Sequence, residues 1–372
     1  MKYELTEKQQ EGLNICLERF KKGEPYTIIA GYAGTGKSYL VNAIVDAFNL
    51  DEYEVAYACY TGKAALVLQN QGKNATTLHK LLYYFKPDGY GGFIKKPKEK
   101  LDVEIQLIIV DEISMCPREM WNLLLKHHIY IIGLGDPFQL PPIGDELHLL
   151  DKPHIFLTEV MRQALDSDII KYSMLLREGE NLPIGINGND IMTLSKNDFS
   201  TGMVQWADQI LCAKNITRKS LNNEARALYG REGVLAEEEK VICTRNYWET
   251  ANDDGDCLVN GTIGQMHFVT INGKKIHGTL QLENKHSFEG LSIDYKLLAE
   301  GTPTVKKDRR GKIIPNPYIE LEYGYAITVH KAQGSQFGKV LVYDDYWKTG
   351  EEYRRWLYTA ITRAIHKVVV LM

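Results

Sequence analysis

Eight residues, Gly31-Tyr32-Ala33-Gly34-Thr35-Gly36-Lys37-Ser38, follow the apolar run Tyr26–Ala30 and lead into a helical stretch beginning at Lys37. No other segment constrains the fold as strongly. The pattern G-x-x-x-x-G-K-[ST] needs a strand to deliver the loop and a helix to receive it. It therefore commits the chain to a parallel α/β sheet, whose ligands bind beyond the carboxyl ends of the strands. Glycines let backbone N–H groups wrap a phosphate, and the helix that follows turns its positive end toward the same charge. On this reading Gly34, Thr35 and Gly36 cradle the phosphates of ATP. Lys37 reaches the β- and γ-phosphates and Ser38 ligates Mg²⁺.

Three more apolar runs, Val55–Tyr60, Leu107–Val110 and Tyr130–Leu134, read as buried parallel strands, with a helix over Ala64–Asn70 between the first two. The second of these runs ends in Asp111-Glu112. Asp111 is placed to serve Mg²⁺, and Glu112 lies where it can orient and deprotonate water beside the γ-phosphate. The third run ends in Gly135-Asp136-Pro137-Phe138-Gln139-Leu140-Pro141-Pro142, where Gln139 can touch the γ-phosphate and report its presence.

Tyr83–Leu101 interrupts this pattern with a Pro-Asp-Gly-Tyr-Gly-Gly centre flanked by aromatics, which predicts a hairpin with a longer loop. A second α/β segment begins near Thr158, with strands expected at Gln209–Ala213, Lys339–Tyr343 and Lys367–Leu371. A β-rich stretch over about 261–317 breaks into it. There Met266–Ile271 runs into Asn272-Gly273, a strong hairpin signal, and the charged run Lys306–Lys312 predicts a solvated loop. The expected fold is α/β: two RecA-like P-loop lobes, 1–156 and 157–372. A hairpin is inserted in the first at about 83–101 and a small β-rich, SH3-like insertion in the second at about 261–317.

The formal net charge of −4 argues against indiscriminate coating of nucleic acid, which leaves a basic footprint, but allows a local groove. The six cysteines form no C-x-x-C pair, so neither zinc nor a disulfide framework is expected. No apolar run reaches membrane-spanning length and MKYELTEKQQ lacks a signal-peptide core, so a cytoplasmic chain with no membrane partner is expected.

Ten motifs in order now carry a family resemblance. They are LTEKQ (Leu5–Gln9), GYAGTGKS, YTGKAA (Tyr60–Ala65), ATTLHKLL (Ala75–Leu82), DEISM (Asp111–Met115), GDPFQLPP, LTEVMRQ (Leu157–Gln163), VNGTIGQ (Val259–Gln265), YAITVHKAQGSQF (Tyr325–Phe337) and YTAITRA (Tyr358–Ala364). In this order they resemble the RecD-like superfamily 1B DNA helicases along nearly the whole chain.

The resemblance implies Mg²⁺–ATP hydrolysis coupled to 5′→3′ movement on single-stranded DNA, with fork or tailed duplexes as substrates for unwinding by a monomeric motor in replication, recombination or repair. It implies that Gln9 reads the adenine edge, that Gly334 borders the nucleotide, and that Arg162 and Arg363 act as arginine fingers. It puts Thr61, Lys63, Thr77 and His79 on the first lobe's DNA track and Thr328, His330 and Lys331 on the second's. These hydroxyls, cations and imidazoles suit phosphate oxygens. It makes the Tyr83–Leu101 hairpin the pin that splits the duplex, with Tyr90 or Phe93 as a stacking wedge.

Two other classes fit parts of the pattern. A nucleotide kinase or AAA-type assembly factor would share the phosphate loop, and a DNA-recruiting module with a weak motor would share the tracks. A second α/β lobe carrying arginines favours the helicase.

Overall fold

Strands covered by helices on both faces have no polar side to show, which is why near-continuous apolar runs make the first sheet. The computed structural model describes residues 4–87, 93–101, 104–141, 147–252, 257–283, 286–307, 313–314 and 316–372. Its first lobe contains β1 (Tyr26–Gly31), β2 (Val55–Cys59), β3 (Ala75–Thr77), β4 (Tyr83–Pro87), β5 (Phe93–Pro97), β6 (Leu107–Val110), β7 (Tyr130–Gly135) and β8 (Ile155–Leu157). Six of these form a parallel sheet in the order β3-β2-β6-β7-β1-β8.

Period-two alternation decides which side chains serve which face. Ile28, Ile108, Val110 and Ile131 pack with Leu78, Leu81 and Trp121 on one side. Ile29, Leu107, Ile109 and Ile132 pack with Cys16, Leu40 and Ile44 on the other. The second group lies under α1 (Glu7–Lys21) and α2 (Lys37–Phe48). Thr6 caps α1, and its hydroxyl accepts from the Gln9 N–H while the Gln9 side chain accepts from Thr6 N–H.

The second lobe repeats the architecture. Its parallel sheet runs in the order Ala326–Thr328, Gln209–Cys212, Phe337–Tyr343, Ala364–Leu371, Ile191–Leu194. Its core, built around Trp356 and Tyr358, also takes in Leu140 and packs against Ala33 and Phe138 from first-lobe loops.

The β-rich stretch is a five-stranded antiparallel sheet, ordered Ser287–Asp294, Lys275–Gln281, Ile263–Asn272, Lys240–Cys243, Leu321–Tyr323. Its last two strands come from outside the 261–317 span read in the sequence. Short strands joined only by pairing across about eighty residues leave no local signal of that pairing. The Asn272-Gly273 hairpin forms with its loop one residue later: Asn272 pairs with Lys275, leaving Gly273 and Lys274 to turn. The charged run begins as a strand, since Lys306–Lys307 pairs with Ile313–Ile314, and residues 308–312 lie outside the described residues.

β4 and β5 pair from Tyr83↔Pro97 to Pro87↔Phe93. The connecting turn, with Tyr90, lies outside the described residues. Tyr83 fixes the base: its hydroxyl donates to Glu119 Oε1 at 3.0 Å, and Lys95 Nζ sits 3.9 Å over its ring. No helix among the described residues is long and apolar enough to cross a membrane.

Candidate active site

The phosphate loop leaves β1 and enters α2 at Lys37. Gly34 and Gly36 hold φ of 77° and 75°, a region closed to most side chains, and this lets the loop curl over the start of the helix. Around it lies a cleft of about 480 Å³ lined from both lobes. Lys37, Ser38, Asp111, Glu112 and Gln139 come from the first lobe, and Gly334 and Arg363 come from the second. Thr35 is buried, with its hydroxyl donating to Tyr32 O at 2.8 Å. Lys37 Nζ donates to Gly31 O at 2.6 Å and to Tyr32 O at 3.1 Å, so its ammonium sits inside the loop.

β6 delivers the acidic pair. Asp111 accepts from the Glu112 N–H at 2.9 Å, and Glu112 takes φ 50°, ψ 51°, a left-handed conformation that costs a non-glycine residue energy. Burial pushes both carboxyls above the usual range, opposed at Glu112 first by the Arg363 charge. Glu112 Oε1 accepts from Gln139 Nε2 at 3.5 Å and lies 3.8 Å from Arg363 Nη1. Arg363 is 4% exposed, and its guanidinium donates to Thr359 O at 3.1 Å and Ser335 O at 3.3 Å. An acid, an amide and an arginine thus converge beside a phosphate loop, a geometry suited to stabilising phosphoryl transfer.

Three residues assigned to this site, Thr35, Gln9 and Arg162, stand apart from the cleft lining. Gln9 is 1% exposed, with its amide nitrogen on Thr35 O at 3.3 Å and its oxygen on the Thr6 N–H. It braces the phosphate loop from behind. Arg162 is exposed, at the start of a short 3-10 turn, while its neighbour Met161 donates its N–H to Gly34 O at 2.9 Å.

Residues 4–198, more than half of the chain, match the family model described as the AAA domain, and residues 323–371 match the UvrD-like helicase C-terminal domain. The chain belongs to the AAA-domain family. Among its relatives are helicases of the kind that the ordered motifs resemble. The ATP-dependent RecD2 DNA helicase of Deinococcus radiodurans is 29% identical over 366 residues, 92% of this chain and 46% of that protein. The ATP-dependent DNA helicase Dda of Enterobacteria phage T4 is 31% identical over 146 residues, 38% of this chain and 33% of that protein. The chain spans less than half the length of either. In fold it is similar to a Bacteroides Pif1 bound to single-stranded DNA, with a TM-score of 0.52 and 17% identity, over 99% of this chain and 92% of that one.

The track residues assigned to DNA, Thr61, Lys63, Thr77, His79, Thr328, His330 and Lys331, follow the carboxyl ends of strands, mostly on helix starts. Thr61, Thr77 and Thr328 each cap a helix: their hydroxyls accept from the N–H groups of Ala64, Lys80 and Lys331. Lys63 Nζ sits 3.8 Å over the Phe337 ring of the second lobe, and burial lowers its pKa to about 8. Lys331 Nζ pairs with Glu322 at 2.9 Å, and Arg218 holds the other oxygen of that carboxylate at 3.1 Å. Burial lowers the pKa of His330, and that of His79 to about 4, so both imidazoles are neutral donors or acceptors at neutral pH. His79 stands between the Tyr60 and Tyr83 rings, at 5.9 and 6.2 Å, linking the first-lobe track to the base of the hairpin. Phe93 opens β5. A loop of the second lobe packs closely here, leaving no room for a Cβ on Gly62 against the Val259 side chain.

Reading the sequence missed the residues that join the lobes. Arg355 donates to Pro137 O at 2.9 Å and Gln139 O at 3.0 Å, Gln333 Nε2 to Leu140 O at 2.7 Å, and the Leu140 N–H to Thr359 Oγ1 at 2.9 Å. Gln333 and Thr359 lie inside motifs already noticed, but side chains that bond carbonyls across an interface follow no spacing rule.

Proposed function

We propose that this chain is an ATP-dependent DNA helicase or translocase, with lobes at 1–156 and 157–372 and an SH3-like insertion in the second. ATP hydrolysis in the cleft would drive movement along single-stranded DNA in the 5′→3′ direction, and the β4–β5 hairpin would part the duplex. One observation carries this reading: Glu112, held by Gln139 of its own lobe, meets Arg363 of the other lobe beside the phosphate loop. A site assembled from two lobes of one chain makes their closure depend on the nucleotide, and so lets two DNA grips alternate. The RecD2 and Dda relatives, both named as ATP-dependent DNA helicases, support it.

Within that reading Lys37 neutralises the β- and γ-phosphates, Glu112 orients and deprotonates the attacking water, and Gln139 senses the γ-phosphate. Arg363 stabilises the charge that grows on transfer, and Arg162 would join it only on further closure. Gln9 braces the loop and would read the adenine edge only by giving up Thr35 O or the Thr6 N–H. Ser38 and Asp111 offer a hydroxyl and a carboxylate to one cleft, oxygen donors suited to Mg²⁺. Among the described residues no group of three or more His, Cys, Asp or Glu side chains is placed to hold a metal ion. Mg²⁺ would supply charge neutralisation between the phosphates.

ATP turnover with and without single-stranded DNA tests the proposal, with unwinding of forks of either tail polarity alongside. Wild type should be stimulated by DNA, and Lys37→Ala should lose nearly all turnover while keeping its fold. DNA-independent turnover, or a Lys37→Ala variant with near-normal rate, would remove the assignment.

A further inference from the structure

Tyr358 is fully buried in the Gly350–Ile361 helix, and its hydroxyl makes two bonds, both to the other lobe. It accepts from the Ala33 N–H at 2.8 Å and donates to Asp136 Oδ2 at 2.5 Å. Asp136 Oδ1 accepts from the Phe138 N–H at 2.9 Å, and the Phe138 ring meets the Tyr358 ring edge-on at 5.2 Å. Ala33 belongs to the loop after β1, and Asp136 to the loop after β7 that carries Gln139. A single second-lobe hydroxyl therefore ties together the two first-lobe loops that face the γ-phosphate. The same helix grips the Gln139 loop through Arg355 and ends two residues before Arg363. A second contact across the seam lies alongside, with the Arg177 guanidinium 4.0 Å over the Tyr32 ring.

We propose that Tyr358 is a positioning residue for ATP hydrolysis, its hydroxyl fixing the phosphate loop and the Gln139 loop in register with Arg363 when the lobes meet. This rests on the ATPase reading above. A helix needing only apolar burial would be served by phenylalanine, because a buried hydroxyl is unfavourable unless bonded. Here both partners lie across the seam, so the bonds exist only in the closed arrangement; when the lobes part, water can replace them. The hydroxyl thereby favours closure and orders the loops in the same step. Since small misplacements of reacting groups cost large factors in rate, its loss should be read in the hydrolysis step rather than in nucleotide affinity.

Tyr358→Phe keeps the ring and removes both bonds. Single-turnover hydrolysis should slow by about tenfold or more, the scale of a modest misplacement, while ATP affinity, read with a fluorescent analogue, stays within about threefold. Asp136→Asn keeps the shape of the acceptor and removes its charge. It should slow hydrolysis in the Tyr358 background and add little to Tyr358→Phe, since the bond it weakens is one of the two that Tyr358→Phe already removes. It also carries the test should Tyr358→Phe not fold. An unchanged hydrolysis rate in Tyr358→Phe, an affinity loss as large as the rate loss, or additive effects of the two variants would each overturn the inference. A wild type without ATPase activity would overturn the proposed function and this inference together, whereas an active wild type matched by Tyr358→Phe overturns this inference alone.

Discussion

Glu112 Oε1 and Arg363 Nη1 stand 3.8 Å apart across the seam between the lobes. Neither side chain leaves its own lobe to make the approach: Glu112 is set by the end of β6, and Arg363 by the turn between a helix and the last strand. The distance between them is thus a measure of lobe closure, and each can be removed without touching the other's support.

Glu112→Gln keeps the bulk and one acceptor oxygen but cannot take a proton. Turnover should fall at least ~10²-fold, the usual loss for a general base, with ATP still bound. Equilibrium nucleotide binding beside steady-state turnover separates the outcomes. An equal loss of binding would move Glu112 from water activation to metal or phosphate contact.

Arg363→Ala should slow hydrolysis by roughly 10³-fold if the guanidinium acts as arginine fingers do elsewhere. Because Arg363 also holds Thr359 O and Ser335 O, its removal takes a donor from two buried carbonyls, and the melting temperature must be measured in parallel. Arg363→Lys keeps the charge, loses the fork and should fall between the two. Unchanged turnover in a folded Arg363→Ala variant would take the residue off the catalytic list.

His79 gives the fold an acid-sensitive point. Burial lowers its pKa from 6.5 to about 4, so the unfolded chain binds its proton more readily than the folded one. Its contribution is therefore fully present above the unfolded value and is lost as pH falls from 6.5 toward about 4. Urea denaturation at neutral and mildly acid pH should show wild type losing more stability than His79→Gln over that window. Equal losses would mean that His79 is protonated in the folded chain and not buried as described.

How far the sequence revealed this arrangement depended on whether each signal was local. Tyr26–Ala30 and Leu107–Val110 were legible as short, mostly apolar runs, and the phosphate loop tied them to one sheet. Three-residue edges such as Ile155–Leu157 are too short for any period to show. The antiparallel sheet was only half legible, because Lys240–Cys243 and Leu321–Tyr323 are neighbours in space alone. At the site, Lys37 and Glu112 could be read because phosphate chemistry demands those residue types at those positions. Tyr358 could not, since a tyrosine in an apolar helix reads as core until the partners of its hydroxyl are known.

The β4–β5 hairpin separates motor from splitter. Its base is held to the first lobe by the Tyr83–Glu119 bond, and the Lys98 N–H donates to Leu82 O at 2.8 Å, so the stem is an extension of the lobe. None of the cleft residues lies in it. Replacing Asp88–Gly92 with a short Gly-Ser turn should leave the stem ladder, and with it DNA-stimulated ATPase, largely intact. Movement along single strands, read by displacement of streptavidin from a biotinylated end, should persist as well. Unwinding of a forked duplex should fall sharply, because translocation would no longer be coupled to breaking base pairs. If the hairpin instead serves only to cover the lobe, the three activities should fall together with the melting temperature. Full unwinding by the turn variant would show that strand separation occurs elsewhere, with the His79 and Tyr83 rings at the foot of the stem the next place to test.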